Sequence, residues 1–424
     1  MATDALPPLD VGIDLPADAS PSYDLHFQLS GADLREKALP IRPGDLTRLL
    51  LAQPGMTPEE HASLAKLCPR LGSIFHHEFY QRLRDLKETY APLDPDSDYA
   101  YLEGHTRKAT STLDEEFLAL FEATLERANY RPLDLSVIEE AVSAPNEMGL
   151  NYVPNFALYE HLKVYARGYT KIIRISRNLR TKFRKRTIVL DAYQRLIVVL
   201  KFKDGLKRLG DEVRCDAVYL RMFKDVPHVD MEMHLPEQGT KVKMRWVDKA
   251  QIASPLMVGI PTVAAKLLLA LTINPALLAT AAFAPISAGI NSFFGFQRAK
   301  QKHLSHMIRA LYYLTLANNG SVLTRLIDSA EEEEYKETLL AYFFLWRHHD
   351  PRGGLVDKTL DAKIEEFLKQ TTGFEINFEI GDALGKLYRL GLARKDGGGR
   401  VIATPIDQAY DHLNCLWCES ITKA

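Results

Sequence analysis

At 424 residues the chain is long enough for two or three cores, and its 46% apolar and 25% charged content excludes disorder throughout. Lys plus Arg number 53 against 55 Asp plus Glu, a net charge of −2, which is the balance of an ordinary globular protein. Four cysteines, Cys68, Cys215, Cys415 and Cys418, are too few and too scattered for a disulfide framework and point to a reducing compartment.

Residues 1–42 read as a flexible tail. Their first 24 positions hold five Asp and no Lys or Arg, which fits neither a secretory signal nor an Arg-rich transit peptide. From 43 to 150 apolar residues recur at helical spacing, in LTRLLLAQ, HASLAKLCPRLGSIFHHEFYQRLRDL and LDEEFLALFEATLERAN. Thr57-Pro58-Glu59-Glu60 supplies a capping threonine, a first-turn proline and acids at the positive end of a helix dipole. This part is a helical module.

Residues 151–250 change period. TKIIRIS, KRTIVLD, RLIVVLKF and DAVYLRMF are β-branched runs of strand length, and they predict a small, mainly antiparallel sheet with attached helices. The same region holds ten Lys or Arg between Lys163 and Arg186, with no acid between His161 and Leu190. Arg174, Arg177, Arg180, Lys182, Arg184, Lys185 and Arg186 form the densest part, and such a patch suits anionic lipid headgroups.

Ile252 to Phe296 contains one charged residue in 45. Asn274-Pro275 divides it into two segments of about 21 residues, each about 31 Å long as a helix, close to a bilayer's hydrocarbon thickness. A transmembrane helical hairpin over 251–297 is the expectation; a hairpin buried in a large domain and a re-entrant hairpin are the alternatives. Lys266 costs about 3 kcal/mol near mid-membrane, and Asn291 adds a second polar group. Ala284, Ala288 and Ser292 make a small-residue stripe for close helix packing and self-association. Lys241, Lys243, Arg245 and Lys249 before the run and Arg298, Lys300 and Lys302 after it place both flanks, hence both termini, on a cytoplasmic or matrix side.

Residues 300–424 read as helical to Gly373. EIGDALGKLYRLGLARKDGGGRVIATPID then gives a helix and two strands around a Gly-rich turn, the order of a winged-helix module. From 301 to the end there are 15 Lys plus Arg and 18 Asp plus Glu, with Glu331 to Glu334 as an acidic cluster, so nucleic acid is not the expected partner and protein contact is. The candidate recognition helix sets Lys386 and Arg389 against Asp382.

The blocks LKETYAPLDPDSD, ERANYRPL, VYARG and YLRMFKDVPHVDMEMHLPEQGTKVKMRWVDKAQI, followed by the apolar hairpin, resemble the transmembrane-protein-143-like family, also called domain of unknown function 3754. The resemblance covers about residues 40–410 and implies a membrane protein with two adjacent spans and no assigned activity. It implies a bacterial inner-membrane or organellar location and carries over no catalytic residue.

Motifs for chemistry are absent from the sequence: there is no GxxxxGK[ST], no GxSxG and no HExxH, and no GxGxxG follows a strand. Asp94, Asp96 and Asp98 resemble the start of a calcium loop, but Tyr99 and His105 stand where Gly and Glu are required. His76-His77, His303 and His306, His348-His349, and Cys415 and Cys418 lack a converging four-ligand spacing, so no metal and no cofactor are expected. The reading is therefore an α+β membrane protein with no catalytic residues, acting as an anchored scaffold or as a lipid- and protein-interaction protein. Its alternative is an oligomeric pore or transporter with Lys266 and Asn291 facing a polar interior.

Overall fold

The structure, a computed structural model, describes residues 37–97, 110–134, 136, 150–153, 156–176, 186–203, 214–228, 231, 241–244, 294, 301, 305, 312–348 and 354–423. It begins with α1 (Pro43–Leu51) and α2 (Pro58–Tyr90). The capping box forms: Glu60 N donates to Thr57 Oγ1 at 3.2 Å and Thr57 N to Glu60 Oε2 at 2.8 Å. Helix α2 buries Leu64, Leu67, Leu71, Phe75 and Phe79 at spacings of three and four, and it continues through Pro69. Helix α3 (Thr110–Arg127) adds Phe117 and Phe121 to the same core.

The sheet is antiparallel, in the order β1 (Arg131–Leu133), β3 (Tyr159–Ser176), β4 (Arg186–Phe202), β5 (Val218–Pro227) and β7 (Thr315–Asn318). A separate pair joins β2 (Leu150–Val153) to β6 (Lys241–Met244). KRTIVLD and RLIVVLKF are not two strands but one, β4, because Ala192, Tyr193, Arg195 and Leu196 pair with both neighbours and carry the ladder across Gln194. Its uninterrupted apolar run serves two cores: Ile197 and Val199 face the helices, while Leu196, Val198 and Leu200 join Phe202, Phe223 and Val226 on the other side.

Helix α4 (Gly320–Arg347) is the axis of the helical part. Every residue from Glu333 to Leu345 is buried, so it has no solvated face over that stretch. The region expected to be helical to Gly373 is interrupted before it by β7. Asn319 makes the joint with φ 47° and ψ −125°, backbone values that a side chain disfavours. Its side chain compensates: Oδ1 accepts from Leu220 N at 3.1 Å and Nδ2 donates to Asp96 Oδ2 at 2.6 Å.

After α4 come α5 (Asp357–Thr372), α6 (Ile380–Arg389), the hairpin β8 (Ala393–Lys395) and β9 (Val401–Ala403), and α7 (Ile406–Lys423). A single bridge, Leu355 to Val401, adds a third short chain segment to the hairpin.

The fold is α+β, but the membrane element of the expected fold class is corrected. Among the described residues no helix is long and apolar enough to cross a membrane. The long helices α2 and α4 carry charged residues along their length, Glu59 to Lys87 in one and Arg325 to Arg347 in the other. The multi-pass placement with both termini on one side falls with that element. The hairpin itself, with Lys266, Ala284, Ala288, Asn291 and Ser292, lies outside the described residues.

Candidate interaction surface and the buried ionic centre

Within the acidic cluster Glu331 to Glu334, Glu333 is only 4% and Glu334 3% exposed. Each has a partner that justifies its burial. Leu39 N donates to Glu333 Oε2 at 2.9 Å, and Lys336 Nζ donates to Glu333 Oε1 at 2.8 Å and to Leu39 O at 2.7 Å. The pair thus grips the backbone of the segment leading into α1. One turn on, Lys386 Nζ of α6 lies 2.5 Å from Glu337 Oε2, 3.3 Å from Glu334 Oε2 and 2.8 Å from Asp382 Oδ2. Burial alone would lower the Lys386 ammonium, but these three carboxylates outweigh it and hold it above the ordinary lysine range. Asn129 Nδ2 donates to the other Glu337 oxygen at 3.0 Å.

Arg127 and Arg389 close the network on Glu78, at 3.2 and 2.8 Å. Burial would raise the Glu78 carboxyl; the two guanidinium groups more than offset that and hold it below the usual carboxylate range. Both cations of the expected recognition helix, Lys386 and Arg389, are therefore turned onto α2 and α4. The network joins α2, α3, α4 and α6 and is a structural centre.

A surface cleft of about 540 Å³ lies between α2 and α7, lined by Gly72, Ser73, His76, His77, Tyr80 and Trp417. His76 Nδ1 stands 3.2 Å from both Glu331 oxygens, and Arg70 lies over the Trp417 ring at 5.7 Å. Cys68, which lines a separate cleft with Pro43 and Tyr335, is buried, and that burial pushes its thiol up to about 11. It is a packed apolar residue and not a thiolate nucleophile at neutral pH. Among the described residues no group of three or more His, Cys, Asp or Glu is placed to hold a metal. Asp94 and Asp96 serve the chain itself: Asp94 Oδ1 accepts from Asp96 N at 3.0 Å, and Asp96 holds Asn319.

The outward feature is the far half of the β3–β4 ladder. Strand β1 leaves β3 at Ala166 and β5 leaves β4 at Ala192, whereas β3 and β4 continue paired to Ser176 and Arg186. From Lys171 opposite Asp191 to Ser176 opposite Arg186, the described ladder has two strands only, about 20 Å at ~3.3 Å per residue. Gly168 sits at its root with φ 74°, and a Cβ there would come within 2.7 Å of the Gln194 side chain. Ile173 and Val189 are direct cross-strand partners, 50% and 54% exposed. Arg174 and Arg186 of the expected basic patch belong to this ribbon, and the joining stretch with Arg177, Arg180, Lys182, Arg184 and Lys185 lies outside the described residues.

Comparison with known families adds one finding. Residues 193–321 match the family described as "Protein of unknown function (DUF3754)". The match covers under a third of the chain, beginning where β4 acquires its third-strand neighbour and ending just past Asn319. The ribbon beyond Ala192 lies outside it. No solved structure matches the chain.

Proposed function

We propose that the protein is a non-enzymatic interaction scaffold that uses the basic β3–β4 ribbon to hold an anionic partner. The single observation that carries this reading is a ribbon, two-stranded among the described residues, with an exposed Ile173–Val189 pair, leading in sequence into a run of cations on a chain whose net charge is only −2. A two-stranded ribbon is marginally stable by itself in water, so one that displays apolar surface beside a run of cations is suited to being covered. The inward pairing of Lys386 and Arg389 takes away the cations that a duplex-binding C-terminal module needs, which favours the ribbon as the working surface.

The finer family assignment, to the transmembrane-protein-143-like group, is part of this proposal. It rests on the ordered blocks ERANYRPL, VYARG and YLRMFKDVPHVDMEMH together with the match over 193–321, and it brings no activity with it.

The test compares the full chain with a variant in which Arg174, Arg177, Arg180, Lys182, Arg184, Lys185 and Arg186 are replaced by Gln. Binding to polyglutamate, to phosphatidylglycerol-containing vesicles and to duplex DNA is measured across a salt series. The proposal expects salt-sensitive binding to at least one of them, lost in the variant. Binding to none, or binding that the seven substitutions leave unchanged, contradicts it.

A further inference from the structure

We infer that Arg167, Arg195 and Lys224 form a binding site for a phosphate group where the ribbon leaves the sheet, a site that does not depend on the ribbon's own cations. Register supplies the first argument. Arg167 pairs directly with Arg195, and Arg195 directly with Lys224, so three cations stand side by side across β3, β4 and β5 on one face. The row before them on that face, Tyr165, Ile197 and Met222, is buried in the helical core. Like charges directly opposite one another on neighbouring strands are destabilising, and here two such pairs adjoin. A dianion seated over Arg195 turns that repulsion into attraction.

The surroundings prepare the row for such a ligand. The Arg167 guanidinium lies over the Tyr130 ring at 5.2 Å and donates to Ala128 O at 3.3 Å, and Arg195 Nη1 donates to Gln194 O at 2.8 Å. These neutral groups orient both guanidinium planes without cancelling their charge. All three side chains are partly exposed, so solvent-borne ions reach them. In the row that follows, Gly168 and Asp225 flank Gln194 with φ of 74° and 50°. Beyond it Tyr169 and Tyr193 pack with Ala166 and Leu196 in the opposite core, so the pleat has reversed and the cations end the helix-facing side. Two interstrand spacings of ~4.8 Å separate Arg167 from Lys224, which lets both long side chains reach a group centred on Arg195. Guanidinium groups bind phosphate oxygens in pairs, and three positive charges match a phosphate dianion better than a carboxylate.

Calorimetric titration of the full chain with inorganic phosphate, at constant ionic strength in chloride, tests the site. Arg195→Gln, Lys224→Gln and the seven-Gln ribbon variant are titrated beside it. The expected result is binding to the wild type, weakened about tenfold or more by each single substitution, as loss of a charged hydrogen bond weakens it. The seven-Gln variant should bind phosphate as the wild type does. Lys224→Gln keeps the test decisive should the Arg195 variant fold poorly. Phosphate that does not bind, or that binds both single variants unchanged, overturns the inference. Loss of phosphate in the seven-Gln variant also overturns it, by moving the anion to the ribbon. Titration with soluble phosphoserine and with phosphatidate vesicles separates a soluble source from a lipid headgroup; either supports the site when Arg195→Gln abolishes it, and neither does when that variant binds as before. The ribbon's own test is polyglutamate binding, so each reading can fail while the other stands.

Discussion

The buried charges around α4 make single residues unusually consequential. Removing one partner of a desolvated ion pair typically costs 3–5 kcal/mol, because the other charge stays behind without compensation. Lys386→Met leaves Glu337 in that state, while Glu334 keeps the Arg127 guanidinium at 3.7 Å, and urea unfolding should show a loss of about that size. Arg389→Ala, which leaves Arg127 on a partly exposed Glu78, should lose much less. Glu78 also sets a pH dependence. Its folded carboxyl is held below the ordinary range, so the stability it contributes is present above about pH 4.3, the unfolded value, and is lost as pH falls through the folded one. Glu78→Gln should flatten the acid limb of a stability-versus-pH curve measured by thermal unfolding. At the strained joint, Asn319→Ala keeps an unfavourable backbone conformation and removes two good side-chain hydrogen bonds, whereas Asn319→Gly removes the bonds but relieves the strain. The glycine variant should therefore unfold at a higher denaturant concentration than the alanine variant, by about 1 kcal/mol.

At the scale of elements, helices were the most legible part of the sequence, since α2 follows directly from Thr57, Pro58, Glu60 and its apolar spacing. Strands β3 and β4 were legible as β-structure but not in length, because Asp191 and Gln194 look like breaks in an apolar run while the pleat tolerates them at exposed positions. Strand β7 gave no usable signal: Thr315 to Asn318 is four residues long and depends on β5 beside it. The Glu333 and Glu334 burial was hidden for a related reason, since a charge run reads as solvated until Lys336, Lys386 and the Leu39 backbone are brought to it from afar. Of the candidate site, the cations were visible in composition, and the ribbon to which Arg174 and Arg186 belong was not, because where β1 and β5 stop is a tertiary fact. Ile173→Thr with Val189→Thr tests the ribbon as an element. Both positions are half exposed, so stability should change by less than about 0.5 kcal/mol for each, while binding of polyglutamate should weaken several-fold. A large stability loss would mean that the pair is part of a core.

The whole molecule combines a near-neutral total charge with a strongly one-sided distribution, ten cations between Lys163 and Arg186 against an acidic C-terminal region. On the proposed function such a field would steer an anionic partner to one place, and it weakens as salt shortens the screening length to about 8 Å at physiological ionic strength. The helical part, locked through Glu78, Glu334, Glu337 and Lys386, is the rigid body that carries the ribbon. Hydrogen–deuterium exchange of the full chain, with and without polyglutamate at low salt, tests this arrangement most directly. The account predicts new protection at backbone amides of residues 170–191 and little change in α2 and α7. Protection centred instead on the cleft between Tyr80 and Trp417, with the ribbon unchanged, would contradict it.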